Sequence, residues 1–262
     1  PSTMIERWSF SKVKQEKTFA VIIANENYQE EVNVEFALND GMAFREYCIK
    51  LLGIPESNLH IRKDATLNNM LAEINWMQNI AKAYGAETRF IFYYAGHGMP
   101  DESNGTSYLL PVDGKSNILA TGYSMSRLYA ELNGLNAACV TVLMDACFSG
   151  SKRGEGMLAS ARGVALKAKA EAPKGNMLVM TAAQGSETAY PYKEKKHGLF
   201  TYFLLKKLQE SKGKVTYGDL FDYVKTNVAQ KSVVVNEKSQ TPTIAVSGDL
   251  VSTWQGIRLN ED

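Results

Sequence analysis

Short apolar segments alternate along this chain with longer stretches in which apolar residues recur every three or four positions. Residues 18–24 (TFAVIIA), 59–63 (LHIRK), 89–95 (RFIFYYA), 140–144 (VTVLM), 177–181 (MLVMT) and 243–246 (TIAV) read as strands. Most are unbroken apolar runs, the pattern of strands covered on both faces. Between them the spacing turns helical. Leu38, Met42, Cys48 and Leu52 fall near one face of a helix over 36–52, which Gly53 and Pro55 end. Thr66 caps a second helix carrying Leu67, Met70, Leu71, Ile74, Met77 and Ile80. Met125, Leu128, Tyr129 and Leu132 give a third over 125–133, and two more are expected at 198–209 and 217–229. Thr216 and Asp219 form a capping-box pattern at the last of these. Asn104-Gly105 ahead of TSYLLPVD predicts a hairpin excursion.

Strand–helix alternation of this kind predicts an α/β fold: a mostly parallel sheet, right-handed crossovers, and helices on both faces. No repeat and no Pro- or Ser-rich linker divides the chain, so residues 1–262 are expected to form a single domain. Residues 149–175 differ, being rich in Gly, Ala, Lys and Arg. They are expected to form a long mobile loop with at most one weak helix around 157–171.

Composition changes this picture little. Hydrophobic residues make up 45% and charged residues 22%, a globular balance. The net charge of +1 implies no general attraction to nucleic acid or to a membrane surface. No apolar run is long enough to span a bilayer, and no secretory signal is visible. The first residue is Pro1, so the native start is expected to have been trimmed, and no compartment is singled out. The cysteines are Cys48, Cys139 and Cys147, an odd, sparse set without CxxC or metal-ligand spacing. That argues against a disulfide framework and leaves room for one reactive thiol.

Two strand ends carry reactive side chains, Tyr94-Ala95-Gly96-His97-Gly98 and Met144-Asp145-Ala146-Cys147-Phe148-Ser149-Gly150. In open α/β sheets, functional groups collect at the carboxyl ends of strands. Cys147 follows His97 by 50 positions. A thiol attacks only as thiolate, and a nearby imidazole can take its proton and later protonate a leaving amine. The backbone N–H groups of Gly98 and Cys147 are candidates to bind the developing oxyanion.

GHG after an aromatic strand and DACFSG after an aliphatic one resemble the caspase-like cysteine peptidases, closest in wording to bacterial metacaspase-like members. The resemblance runs from VIIANENY through ALND at 37–40 and LLPVD at 109–113 to TAAQGSETAY and TPTIAV. It departs at Phe148, where metacaspases usually carry histidine. It implies a three-layer sandwich with about six main strands and an endopeptidase working by the Cys147–His97 dyad. It also implies that Asp40 and Asp145 line an acidic pocket for Arg or Lys before the scissile bond, where carboxylates make strong charge-assisted hydrogen bonds. Residues 181–186 are implied beside the cleft. The acidic pair that serves calcium in many metacaspases reads Ala120-Thr121-Gly122-Tyr123 here, so no metal or other cofactor is expected. A monomer is implied, and the expected partner is a protein or peptide with a basic residue before the cleaved bond. Basic residues within 149–175 make self-cleavage there an expectation.

Simpler readings accompany several of these residues. Asp145 alternatively bonds loop amides beneath Cys147, and Asp40 alternatively favours a helix dipole. Cys48 and Cys139 read as core, His60 as surface or packing, and His197, among Lys193, Lys195 and Lys196, as part of a solvated charged face. Gly154-Glu155-Gly156 opens a GxGxxA string that follows no strand, so it is not read as nucleotide binding. A scaffold or signalling domain, and a cysteine hydrolase or ligase with another substrate, stand as alternative functions.

Overall fold

The computed structural model describes residues 13–101, 106–146, 148, 173–185 and 187–260. In chain order the elements are β1 (Thr18–Ala24), α1 (Ala37–Lys50), β2 (Leu59–Lys63), α2 (Leu67–Tyr84) and β3 (Arg89–Ala95). The short strands β4 (Gly98–Pro100), β5 (Ser107–Leu109) and β6 (Tyr123–Ser124) lead to α3 (Met125–Asn133) and β7 (Cys139–Asp145). After them come β8 (Met177–Thr181), β9 (Pro191–Tyr192), β10 (His197–Gly198), α4 (Leu199–Glu210), α5 (Tyr217–Asn236) and β11 (Thr243–Val246). The expected mobile loop at 149–175 and its weak helix fall almost wholly outside the described residues.

Six strands form the central sheet in the order β11-β8-β7-β3-β1-β2. All neighbours are parallel except β11, which runs antiparallel to β8 along one edge. Side chains alternate across each strand, and the two resulting faces build separate cores. Ala20, Ile22, Ile91, Tyr93, Leu143 and Met180 point to one face, against Phe44 and Cys48 of α1, Leu204 of α4 and Val224 of α5. Phe19, Val21, Phe90, Phe92, Val142 and Val179 point to the other, against Met70, Ile74 and Met77 of α2 and Leu128 and Leu132 of α3. This is the expected three-layer α/β sandwich. Cys48 and Cys139 are buried within it.

Local signals explain most boundaries. Thr66 accepts from the Asn69 N–H, and the Asn69 side chain closes a capping box on α2. Thr216 likewise accepts from the Asp219 N–H at the start of α5. Residues 98–100 and 107–109 pair as the two antiparallel arms of the expected hairpin. The last long helix runs on to Asn236, beyond the expected end at 229. No Gly or Pro falls between 219 and 236 to end it earlier, and it stops at Glu237, in the left-handed region.

The buried stripe of α1 corrects the expected one. Met42 is 47% exposed, whereas Ala37, Asp40, Gly41, Phe44, Tyr47 and Cys48 are buried. Gly41 is there because α1 lies almost on β1: a Cβ at this position would come within 2.6 Å of the Ala24 Cβ. Replacing Gly41 with Val is therefore expected to force the helix off the sheet, at about 1–3 kcal/mol of overpacking. The check is a lower denaturant midpoint with an unchanged slope.

A buried carboxylate on the other side, Glu73 of α2, is 1% exposed and ties that helix to the edge strand β2. It accepts from His60 Nδ1 at 2.6 Å and from Arg62 Nε. The His60 ring stacks on Trp76 with centroids 3.8 Å apart, the packing role expected for it.

Candidate active site

Neighbouring β3 and β7 run in parallel with a fixed offset, from Arg89 opposite Cys139 to Ala95 opposite Asp145. Each pair is separated by 50 positions, the spacing of His97 and Cys147. The strand ends also touch through the Gly96 N–H, which donates to the Asp145 carbonyl at 3.3 Å. The chain is thus placed up to two residues before Cys147 by β7, and Ala146 is buried at 1% exposure. Cys147 itself lies outside the described residues. Phe148 is half-buried against the core on the α2–α3 side.

His97 is held from several directions. Its backbone N–H donates to the Tyr28 hydroxyl at 2.8 Å. Its carbonyl accepts from the Tyr94 hydroxyl at 2.7 Å and from the Leu110 N–H at 3.0 Å. The Tyr28 ring lies 4.7 Å from the imidazole, centroid to centroid. His97 Nε2 is 2.7 Å from the Val32 carbonyl, which can only accept, so Nε2 carries the proton. Nδ1 is then the basic nitrogen of the neutral ring. Gly96 permits this crowding, because a Cβ there would sit 2.7 Å from both the Tyr28 and the Tyr94 hydroxyl oxygens.

The two candidate pocket acids meet one helix. Asp40, in the first turn of α1, accepts from the Gly198 N–H at 2.9 Å and from His197 Nδ1 at 2.7 Å. Asp145, at the end of β7, accepts from the Thr201 N–H at 3.2 Å and from the Thr201 hydroxyl at 2.7 Å. That hydroxyl spends its proton on Asp145, so at 2.7 Å the Tyr93 hydroxyl donates to Thr201 Oγ1. Gly198 is the N-cap of α4 and Thr201 lies in its first turn, so both carboxylates satisfy N–H groups that the helix leaves unpaired. A helix N-terminus is where negative charge is favoured. Both acids are fully buried.

His197 does not belong to a solvated face. Its side chain is only 12% exposed and is turned to Asp40, while Lys193, Lys195 and Lys196 occupy the turn ahead of it. Gly98 begins β4 and pairs with Leu109. Of residues 181–186, Thr181 ends β8 beside Thr243 of β11, and Ser186 is outside the described residues. Among the described residues, no three His, Cys, Asp or Glu side chains are grouped to hold a metal ion, and no helix is long and apolar enough to cross a membrane.

Sequence reasoning missed Tyr28, Val32, Thr201 and the part played by His197. Tyr28 closes the NENY string that carried part of the resemblance, which was the one available signal. Val32 acts through a backbone carbonyl and leaves no signature.

Comparison with known proteins settles the family. The profile described as the caspase domain matches residues 17–249. The chain belongs to the caspase-domain family. That domain is one of cysteine peptidases, so the chain falls among cysteine-type hydrolases acting on protein. Among solved structures, the chain is similar to caspase-1 from Spodoptera frugiperda, with a TM-score of 0.63 at 13% identity, covering 91% of this chain and 90% of that one. It is also similar to a protein from Geobacter sulfurreducens, with a TM-score of 0.62 at 17% identity, covering 88% and 93%. At these identities the likeness extends to the fold. No curated protein sequence matches the chain.

Proposed function

We propose that this caspase-family chain is an endopeptidase that cleaves after Arg or Lys, with Cys147 as nucleophile and His97 as its proton partner. The observation that carries the reading is the shared register: 50 positions separate both the paired residues of β3 and β7 and the two proposed catalytic residues. Two positions beyond Ala95 and two beyond Asp145, the same offset supports bringing an imidazole beside a thiol. His97 Nδ1 accepts the Cys147 proton, and the thiolate attacks the scissile carbonyl carbon. The N–H groups of Gly98 and Cys147 bind the oxyanion. As the intermediate collapses, the C–N bond breaks and the imidazolium gives its proton to the departing amine. A water molecule, deprotonated by His97, then attacks the thioester, releasing the acid product and the Cys147 thiol.

The preference for a basic residue rests on Asp40 and Asp145. They lie on one face of the sheet, against the start of α4, and Asp145 precedes the nucleophile by two positions. A guanidinium or ammonium entering beside them meets carboxylates already held in place. The enzyme works without calcium, acts as a monomer, and cuts its own basic segment within 149–175.

The test is hydrolysis of fluorogenic peptides ending in Arg, Lys, Asp, Asn or Leu, with EDTA or added calcium, beside Cys147→Ala. Turnover of Arg and Lys peptides in EDTA, absent in the variant, is the expected result. Turnover only after Asp or Asn would leave the dyad standing and refute the acidic pocket. No turnover of any peptide would refute the peptidase reading. Self-cleavage predicts fragments ending at Lys or Arg in the wild type alone, and an intact chain after long incubation would exclude it.

A further inference from the structure

We propose that Tyr28 is a positioning residue for His97, setting the height and tilt of the imidazole through the main chain. The inference rests on the dyad reading above. Its basis is that one tyrosine reaches His97 in two ways, accepting its N–H at 2.8 Å and lying against its ring at 4.7 Å.

The hydroxyl of Tyr28 sits at the centre of a small buried network. It donates to the Leu110 carbonyl at 3.2 Å and lies 3.4 Å from the Tyr94 hydroxyl. Tyr94 in turn holds the His97 carbonyl at 2.7 Å, so one tyrosine grips each side of the His97 backbone. Burial pushes the Tyr28 phenol well above its usual range, so the oxygen stays protonated and keeps both its donor and acceptor roles.

The segment that carries Tyr28 is itself fixed. The Asn25 side chain accepts the Ala65 N–H at 2.8 Å, and Asp64 accepts the N–H groups of Glu26 and Asn27, each at 2.9 Å. The Gln29 N–H reaches the Val112 carbonyl at 3.0 Å, and the Tyr28 N–H reaches the Asn33 side chain at 3.3 Å. The same segment supplies the Val32 carbonyl to His97 Nε2. Residues 25–34 therefore form a bracket that touches the imidazole through a ring and a carbonyl, and the His97 backbone through a hydroxyl. A buried donor left without its acceptor moves to find another, and at His97 such a movement is transmitted directly to the ring.

Tyr28→Phe isolates this role. The ring remains, and the Leu110 carbonyl keeps the Asn25 side-chain amide at 3.3 Å as a donor, so the loss falls on the His97 N–H, whose Tyr28 acceptor is removed. The comparison is Tyr217→Phe, which removes another buried tyrosine hydroxyl, the one facing Cys139 and Thr141 away from the His97 end of the sheet. Two readouts are taken on both variants. In peptide hydrolysis, Tyr28→Phe is expected to lower kcat about tenfold with KM within about twofold, and Tyr217→Phe to change neither. The second is the pH dependence of Cys147 alkylation by iodoacetamide, followed by peptide mass spectrometry, which needs no substrate. Tyr28→Phe is expected to raise the pH midpoint by about 0.5–1, because a displaced imidazole supports the thiolate less, with Tyr217→Phe superimposing on wild type.

His97→Ala sets the full size of that shift. If His97→Ala moves the midpoint and Tyr28→Phe does not, the positioning role is overturned and the dyad stands. If His97→Ala moves nothing, the dyad reading falls and the positioning role with it. A midpoint shift in Tyr28→Phe without peptide turnover in the wild type would support positioning while refuting the peptidase.

Discussion

His97→Ala is expected to lower kcat for an arginyl peptide by about 10²–10⁴-fold while leaving KM close to wild type, since a positioned acid–base group acts on the reaction and not on binding. Two losses combine. The thiol loses the base that makes it a thiolate, and the departing amine loses its proton donor. Cys147→Ala is expected to abolish turnover, and the double variant to be no worse than Cys147→Ala alone, because the two groups act as one unit. The fold should tolerate the change. The imidazole's hydrogen bond to the Val32 carbonyl is lost, at about 0.5–1.5 kcal/mol. The backbone bonds to Tyr28 and Leu110 do not depend on the side chain. A His97→Ala enzyme that melts like wild type yet has lost turnover places the defect in the chemistry. One retaining more than about a tenth of kcat would rule out His97 as the proton partner.

The spacing that first suggested this pair has a structural cause. Parallel neighbours in a sheet keep a constant sequence offset along their whole shared length, and here that offset is set by the excursion from β4 through α3 between them. The 50 positions between His97 and Cys147 in sequence equal the pairing register of β3 and β7, which runs as far as Ala95 opposite Asp145. The apolar strands were legible in the sequence: strands buried on both faces leave continuous runs that no surface element imitates.

What escaped sequence reasoning depends on contacts between distant segments. On α1 the true buried stripe contains Asp40 and Gly41, neither of which registers as hydrophobic, so Met42 stood in for it. Asp40 is buried because the start of α4 brings the Gly198 N–H to it from 158 positions away. His197 sits among lysines in sequence, yet its ring turns inward to a carboxylate while the lysines occupy the turn ahead of it. Glu73 is hidden in the same way, inside a helix whose hydrophobic pattern gives no place to a charge until β2 supplies His60 and Arg62.

Asp145→Asn is expected to lower kcat/KM for arginyl and lysyl peptides by about 30-fold or more, since removing one partner of a buried charge pair costs about 2–5 kcal/mol. Rates with a leucyl peptide should change little, so the Arg-to-Leu selectivity collapses instead of the activity as a whole. The isosteric amide separates this effect from folding. Its oxygen can still accept from the Thr201 N–H and hydroxyl, and only the charge favoured by the α4 N-terminus is lost, at about 0.3–2 kcal/mol. Asp40→Asn tests the second acid under a different constraint. It removes the charge facing both the Gly198 N–H and the His197 ring, so any loss of stability falls on the β10–α4 junction. If Asp40 and Asp145 bind a substrate cation together, each variant lowers selectivity for basic residues, and the double variant loses less than the product of the two, because one ligand satisfies both. If either variant melts lower while its Arg-to-Leu selectivity is unchanged, that acid serves only to anchor α4 to the sheet. The basic residue would then have to be read by the acid that remains, and if neither changes selectivity the acidic pocket is refuted.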